Sequence, residues 1–244
     1  MKEDKIYRSD DSGTEPFRFN SAVADVFPDM LRRSIPGYAA TLEAIGSLAS
    51  RYVTDDTCCY DLGCSLGAAT LAMRQGIRAS GCRIIAVDNS AAMLERCAEI
   101  VSADSGNAAQ APVDIQLGDI RETRIANASM IVMNYTLQFL DRDDRDATIA
   151  RIYEGLVPGG LLLLSEKVID ENPHMNRLLI DLHEEHKRRN DYSELEISRK
   201  RAALENVLVP ETVSAHRERL SGAGFAHSGV WLRYFNFVSI VAIK

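Results

Sequence analysis

The chain has 244 residues, of which 46% are hydrophobic and 26% charged, and its net charge is −7. This ordinary globular composition argues against a disordered chain. The acidity argues against a general nucleic-acid binder, because phosphate binding needs a basic face. Apolar runs such as 161–164 are too short to span a bilayer, and no secretory signal is apparent. We therefore expect a cytoplasmic protein with a small-molecule partner and no membrane contact.

The first part of the chain divides into a lead-in and two helices. Residues 1–19 are polar with few aliphatic side chains, which predicts a loose lead-in before a single domain over 20–244. Helices are predicted over 20–34 and 37–51, because apolar residues recur there at helical spacing.

Short apolar runs rich in β-branched residues then alternate with segments of helical periodicity. The runs cover 58–62, 83–88, 113–117, 129–134 and 160–165, and the helical segments lie near 67–77, 90–102 and 143–156. This alternation predicts a parallel sheet with helices on both faces.

In the last third of the chain, the alternation of strands and helices is interrupted by a charged segment and then resumes. From 168 to about 209 the chain is highly charged and helical, which we interpret as an insertion over the strand ends. The runs 226–233 and 235–243 are too close for a crossover helix, so they are predicted to pair antiparallel. The pattern is typical of the α/β, Rossmann-like class I methyltransferase fold. We expect a seven-stranded, mostly parallel sheet with an antiparallel last strand, a helical N-terminal extension and a helical insertion.

The segment Gly63-Cys64-Ser65-Leu66-Gly67 leaves a strand and opens a helix. It matches the nucleophile elbow of hydrolases, with Ser65 as nucleophile. That fold places several strands before the elbow, however, and no acid partner stands out here. The segment could also be the G-x-G-x-x-G/A fingerprint of a nicotinamide dinucleotide site. It lacks the middle glycine of that fingerprint, however, and Ser65 in its place would crowd a pyrophosphate.

S-adenosylmethionine fits this segment better, because it has no pyrophosphate. Asp88 ends the second strand, where a carboxylate can accept two hydrogen bonds from ribose hydroxyls. Asp119 follows the third strand, where an acid can receive the adenine amino group, and Asn134 ends the fourth. Parallel-sheet proteins bind ligands at this edge. Any one of these residues alone could be a loop or capping residue; their shared position favours a binding site.

The spacing of the cysteines and histidines does not indicate a metal-binding site. The five cysteines are odd in number and fit no common zinc spacing, so we interpret them as reduced, buried thiols. His183 and His186 could share a helix face, but no third ligand is evident. No metal is therefore expected.

Several segments resemble the carboxy-S-adenosyl-L-methionine synthase family. They are Val26-Phe27-Pro28-Asp29-Met30, Ser34-Ile35-Pro36-Gly37-Tyr38, Tyr60-Asp61-Leu62-Gly63-Cys64-Ser65-Leu66-Gly67-Ala68-Ala69-Thr70-Leu71, Asn134-Tyr135-Thr136-Leu137-Gln138-Phe139-Leu140, Tyr192-Ser193-Glu194-Leu195-Glu196-Ile197-Ser198 and Phe235-Asn236-Phe237. The likeness runs from about residue 20 to the C-terminus and includes the insertion. Residues 1–19 and 103–112 match poorly.

The resemblance implies an activity that composition does not show. Members of this family convert S-adenosylmethionine and prephenate to carboxy-S-adenosylmethionine, phenylpyruvate and water. The product is the carboxymethyl donor that a tRNA carboxymethyltransferase uses to make 5-oxyacetyl uridine at the wobble position. The resemblance also implies a homodimer without direct nucleic-acid contact.

The resemblance also implies the site residues. The family's cofactor contacts fall on Tyr38, Gly63, Cys64, Ser65, Asp88, Asn89, Asp119, Ile120, Asn134 and Arg201. Arg201 is the carboxylate-binding residue and the one catalytic assignment; no general base is assigned.

The surroundings of Arg201 can also be predicted from the spacing. A helix is expected over 193–208, with Arg201 inside an apolar stripe of Ile197, Leu204 and Leu208. Spacing alone also allows Arg201 to extend its charged end to solvent, or to pair with Glu205.

Two other functions fit the same sequence features. An ordinary S-adenosylmethionine-dependent methyltransferase would use the same loop and acids, and so would a catalytically idle regulatory protein. Asn134-Tyr135 begins like the Asn-Pro-Pro-Tyr string of nucleic-acid amino methyltransferases, but Thr136 follows and disfavours that subclass.

Overall fold

The computed structural model describes residues 2–8, 16–104 and 111–244. The helices are α1 (Ser21–Ser34), α2 (Tyr38–Tyr52), α3 (Ala68–Gly76), α4 (Ala91–Ala103), α5 (Arg142–Gly155), α6 (Pro173–Arg189), α7 (Glu194–Leu204) and α8 (Val213–Ala223). The strands are β1 (Cys58–Leu62), β2 (Arg83–Asp88), β3 (Val113–Leu117), β4 (Ala128–Asn134), β5 (Leu156–Ile169), β6 (Glu211–Thr212), β7 (His227–Tyr234) and β8 (Phe237–Ile243).

Seven of these strands form one mixed sheet in the order β3-β2-β1-β4-β5-β8-β7, and the short strand β6 pairs only with the end of β5. Strands β1 to β5 are mutually parallel, and β8 runs antiparallel to both β5 and β7. The predicted parallel sheet with an antiparallel last strand is therefore confirmed. Strand order reverses between β1 and β4, and such a switch point is where ligands bind in open α/β sheets.

The two faces of the sheet bury separate cores, because side chains along a strand alternate between faces. On β5, Leu162 and Leu164 pack with the α5 side chain Ile149. Leu161 and Leu163 point the other way and pack in the core that contains Ile45 of α2. Helices thus cover both faces, as the sequence predicts.

Strand β5 is longer than the predicted 160–165. Its edge pairs with β8 from Leu161 to Lys167, and Val168 and Ile169 continue by pairing with β6. Helix α8 and strand β6 were not predicted. The charged segment from 168 to about 209 contains α6 and α7, but α7 ends at Leu204 and does not reach Leu208 as expected.

The described part of the N-terminal lead-in is packed, so the expectation of a loose segment is wrong for residues 2–8 and 16–19. Asp4 is 1% exposed, and its backbone N–H donates to Asp29 Oδ2 at 2.9 Å. Tyr7 and Phe17 are buried in an apolar cluster with α1 side chains. Residues 1 and 9–15, and 105–110 of the poorly matching 103–112 segment, lie outside the described residues.

All five cysteines are buried and free. In the ranges that the structure describes, no helix combines the length and hydropathy that crossing a membrane requires.

Arg145 on α5 is a fully buried cation that ties three segments together. Its guanidinium donates to Glu211 Oε2 at 2.6 Å and to the carbonyl oxygens of Gln138, Leu140 and Val209. The carbonyls come from the turn after β4 and from the approach to β6. The arginine therefore holds the strand-end turn against α5.

Replacing Arg145 with Met should lower the free energy of unfolding by about 3–5 kcal/mol, because a buried carboxylate and several carbonyls lose their partner. Urea denaturation followed by circular dichroism measures this. Arg142→Met, on the exposed side of the same helix, should change stability by less than about 0.5 kcal/mol. Equal effects of the two substitutions would contradict the assigned role of Arg145.

Candidate functional site

The glycine loop after β1 requires its small residue for two reasons. Gly63 has φ +80°, a conformation that L side chains rarely adopt. A Cβ at this position would lie 2.4 Å from the side chain of Thr136, so the loop after β4 passes directly over it. The N–H groups of Gly63 and Cys64 both donate to the Val87 carbonyl, at 2.8 and 3.0 Å. The loops after β1 and β4 and the end of β2 therefore meet.

Cys64 and Ser65 complete this loop. The Cys64 side chain is buried in a small apolar cluster with Ala86 and Cys97. Ser65 has φ +48°, and its N–H donates to Asp88 Oδ2. These residues shape the loop through their backbone.

Asp88 connects the loops that follow β1, β2 and β3. Its Oδ2 accepts the Ser65 N–H and its Oδ1 accepts the Ser90 N–H, both at 2.9 Å. The Asp88 carbonyl accepts the Gly118 N–H at 3.0 Å. Burial raises the pKa of the Asp88 carboxyl, and the hydrogen bonds from Ser90 and Ser65 oppose that rise. A carboxylate has about four acceptor positions, so acceptor capacity remains for a ligand after these hydrogen bonds.

Asp61 and Tyr38 lie on the same side of the sheet. Asp61 is 1% exposed and accepts a 2.6 Å hydrogen bond from the Thr70 hydroxyl. Burial raises the pKa of Asp61 to about 6. Tyr38, at the start of α2, has its pKa raised by burial and then by the charge of Asp61. Its hydroxyl therefore stays protonated and can donate. Asp61 was not among the predicted site residues, although an acid inside an otherwise apolar strand indicates a candidate site residue in the sequence.

Asn134 ends β4 with an unsatisfied acceptor. Its Oδ1 is buried and has no hydrogen-bond partner among the described residues. A buried amide oxygen without a partner is costly, so a ligand N–H or O–H would stabilise it. The next residue, Tyr135, has φ +64° and donates its N–H to Ser165 on β5.

The other predicted cofactor contacts after β2 and β3 differ in how exposed and how free to bind a ligand they are. Asn89 is exposed, and Ile120 is buried in the core beneath the loop. The Asp119 carboxylate accepts hydrogen bonds from Arg121, at 2.6 Å from Nη2, and these lower its pKa. An adenine contact by Asp119 stays a prediction.

Arg201 does not lie in the predicted apolar stripe. The buried residues of α7 are Glu196, Ile197, Lys200 and Ala203. The Arg201 side chain is 72% exposed and pairs with Glu184 of α6 at 3.2 Å rather than with Glu205. Spacing failed here because α7 buries polar side chains alongside apolar ones. The role of Arg201 in binding a carboxylate stays a prediction.

The arrangement fits S-adenosylmethionine. The loops after β1 to β4 converge, and they present a tight glycine turn, a buried carboxylate, a tyrosine donor and an unsatisfied amide oxygen. In the parts of the chain described here, no group of three or more His, Cys, Asp or Glu side chains is placed to hold a metal ion.

Comparison with known proteins agrees with this geometry. Residues 60–160 match the family model described as "Methyltransferase domain". The carboxy-S-adenosyl-L-methionine synthase of Shewanella woodyi is 51% identical, with 99% of this chain and 98% of the relative covered. The chain belongs to the carboxy-S-adenosyl-L-methionine synthase family. The family member from Aliivibrio fischeri is 54% identical over 93% of each chain.

Solved structures support the fold alone. A putative S-adenosyl-L-methionine-dependent methyltransferase from Methanococcus maripaludis superposes with a TM-score of 0.61 at 20% identity. The match covers 94% of this chain and 95% of that one. The class I methyltransferase fold is therefore confirmed, and the family assignment comes from the sequence relatives.

Asp88→Ala should weaken S-adenosylmethionine binding by about 3–6 kcal/mol, because two hydrogen bonds to a charged group contribute about 1.5–3 kcal/mol each. Titration calorimetry measures the affinity, and circular dichroism checks that the variant is folded. Asp114→Ala, which removes a carboxylate exposed on β3, is the control and should bind normally. Wild-type affinity in folded Asp88→Ala would remove Asp88 from the site.

Proposed function

We propose that this protein is a carboxy-S-adenosyl-L-methionine synthase. It converts S-adenosylmethionine and prephenate to carboxy-S-adenosylmethionine, phenylpyruvate and water. The observation that carries the proposal is 51% identity to synthases of this name along nearly the whole chain. The match covers 99% of the chain, so it includes the insertion and the site loops as well as the sheet.

The residues around the converging loops support this function. We assign the Asp88 carboxylate to the ribose hydroxyls, and Asn134 Oδ1, which has no partner among the described residues, to a donor from the methionyl part. Tyr38 supplies a protonated hydroxyl. We assign Asp119 and Ile120 to the adenine side, while Gly63, Cys64, Ser65 and Asn89 line the site.

The reaction balances without a general base from the protein. The sulfonium charge acidifies its methyl group. Prephenate aromatises as it loses a carboxyl group as carbon dioxide and its ring hydroxyl as hydroxide. A carbon–carbon bond forms between the methyl carbon and that carbon dioxide, and the methyl proton combines with hydroxide to give water. The protein's task is then to hold the two reactants together and exclude water.

The remaining assignments follow from this function. The product passes to a tRNA carboxymethyltransferase in the cytoplasm, and the acidic chain itself does not bind tRNA. We propose a homodimer. Met175 and Leu178, exposed by 45% and 48% and three residues apart on α6, support an apolar contact between subunits.

Incubation with S-adenosylmethionine and prephenate should produce phenylpyruvate and a carboxylated cofactor in equal amounts. With S-adenosylmethionine alone, no acceptor should be methylated. Mass spectrometry follows the mass gain of one carbon dioxide, and absorbance follows phenylpyruvate. Methyl transfer without carboxylated product would instead favour an ordinary methyltransferase, and binding without either reaction would favour a regulatory protein.

Arg201→Ala should weaken carboxy-S-adenosylmethionine binding by about 1.5–3 kcal/mol, because a guanidinium fork holds a carboxylate through charged hydrogen bonds. Binding of S-adenosylmethionine itself should change little, since it lacks the carboxyl group. Calorimetry with both ligands measures the difference. Arg188→Ala is the control, because Arg188 also contacts Glu184. Equal losses for both ligands would make Arg201 a structural residue.

A further inference from the structure

Four cationic side chains gather near the carboxyl end of β5. They are Lys167 of β5, Lys187 of α6, and Lys200 and Arg201 of α7. Their charges act on one another: Arg201 lowers the pKa of Lys167, and Lys167, Lys200 and Arg201 all lower the pKa of Lys187. Glu184 is the acid that opposes these effects on both lysines. The cluster therefore has an excess of positive charge.

Two members of this cationic cluster already have partners. Lys200 Nζ lies 3.6 Å from Asp4 Oδ2 and donates to Ser34 Oγ at 3.0 Å. Arg201 pairs with Glu184. Within the chain, each of these two cations therefore has an acidic partner.

Lys167 and Lys187 lack such partners. Across residues 2–8, 16–104 and 111–244, neither ammonium group has an ion pair or a side-chain hydrogen bond. Lys187 is nevertheless only 9% exposed. Burial, followed by the charge of Lys167, lowers the pKa of Lys187 to about 7. Keeping such a group charged is costly unless an anion is bound beside it.

The unpaired lysines adjoin the site through β5 and the turn after β4. Lys167 lies two residues beyond Ser165, which pairs with Asn134 across the sheet. The Lys167 N–H donates to Gln138 Oε1 in that turn at 2.9 Å. Lys167 also pairs with Phe237 of β8, whose ring packs against His183 of α6, so both lysines lie near the edge of the sheet where the binding loops converge.

Aromatic rings connect the lysines to the end of β4. The Phe237 ring lies 5.8 Å from that of Tyr135 and 4.8 Å from that of His183, measured between centroids. His183 lies one helical turn before Lys187 on α6. Burial and the charges of Lys187 and Lys167 hold the pKa of His183 well below its ordinary value, so its ring stays neutral. Apolar rings beside unpaired cations suit a cyclic, dianionic ligand.

We propose that Lys167 and Lys187 bind the carboxylate groups of the second substrate, a cyclic dicarboxylate. This inference rests on the proposed function, in which prephenate is that substrate. Prephenate has two carboxylates on a six-membered ring system, which matches two unpaired ammonium groups next to aromatic rings. The lysines act as positioning residues: they fix the ring beside the cofactor methyl group and transfer no proton.

Lys187→Met and Lys167→Met, in the full chain, should each raise the KM for prephenate at least tenfold. The affinity for S-adenosylmethionine, measured by calorimetry, should stay within twofold. Arg189→Met is the control: it removes a charge from the same helix, but Arg189 is exposed and pairs with Glu185. It should change neither quantity more than twofold. Methionine retains most of the side-chain volume, and melting curves verify folding.

Two results would overturn the inference. A prephenate KM within twofold of wild type in both folded lysine variants would remove the lysines from substrate binding. A matching fall in S-adenosylmethionine affinity would instead assign them to the methionyl carboxylate.

Proton uptake provides a test on the unsubstituted protein. Burial and the charge of Lys167 lower the pKa of Lys187 to about 7, so at pH 8 a fraction of these side chains is neutral, and an anion bound beside them raises their pKa. Prephenate binding should therefore take up a proton, measured by calorimetry in two buffers of different ionisation enthalpy. Lys187→Met should abolish this uptake. The charged and titratable groups that face Lys187 are Lys167, His183, Glu184, His186, Lys200 and Arg201. No uptake by wild type would contradict the proposal.

The same experiments separate this inference from the proposed function. If wild type forms the carboxylated product and the lysine variants keep its prephenate KM, the function stands and the lysine assignment fails. If wild type forms no product, the synthase function fails, and prephenate calorimetry alone decides the lysine assignment. If wild type binds prephenate and the lysine variants do not, the lysine assignment is supported. If wild type does not bind prephenate, the lysine assignment is overturned.

Discussion

One buried carboxylate organises the binding edge of the sheet. Asp88 accepts the N–H groups of Ser65 and Ser90 with its two oxygens, and its carbonyl accepts that of Gly118. Three loops from separate parts of the chain therefore depend on a single residue at the end of β2. In the proposed function Asp88 accepts the ribose hydroxyls, so the group that shapes the site also binds the ligand.

A second buried carboxylate fixes the remaining loop. Glu166 on β5 accepts the N–H groups of Leu137 and Gln138, at 3.0 and 2.9 Å, just after Asn134 and Tyr135. Burial raises the pKa of Glu166 to about 8, opposed by the charge of Arg145 and by these two hydrogen bonds. Such buried polar groups are costly to leave unpaired, which is why the turn after β4 has a defined position.

The strand and helix pattern could be predicted because its signals are local. Glycine at 63 and an acid at 88 can be recognised from spacing, since each follows directly from a strand end. Helix α8 had local signals as well: Thr212 caps its first turn, and Gly224 ends it with φ +109°. These were missed because the segment lacks a clear apolar period. The extension of β5 was not predictable, because it arises from pairing with β6 and β8.

The sequence by itself determined the fold class, the family and the loops at the strand ends, because these depend on residues close together in the chain. Tertiary structure alone decided which charges are buried. Arg201 and Lys200 are neighbours on α7, yet Arg201 is exposed and Lys200 buried. Lys167 and Lys187 come together because α6 packs through His183 against Phe237, the β8 residue that pairs with Lys167. Helical spacing defines the faces of a helix, but only packing against distant segments decides which face is covered.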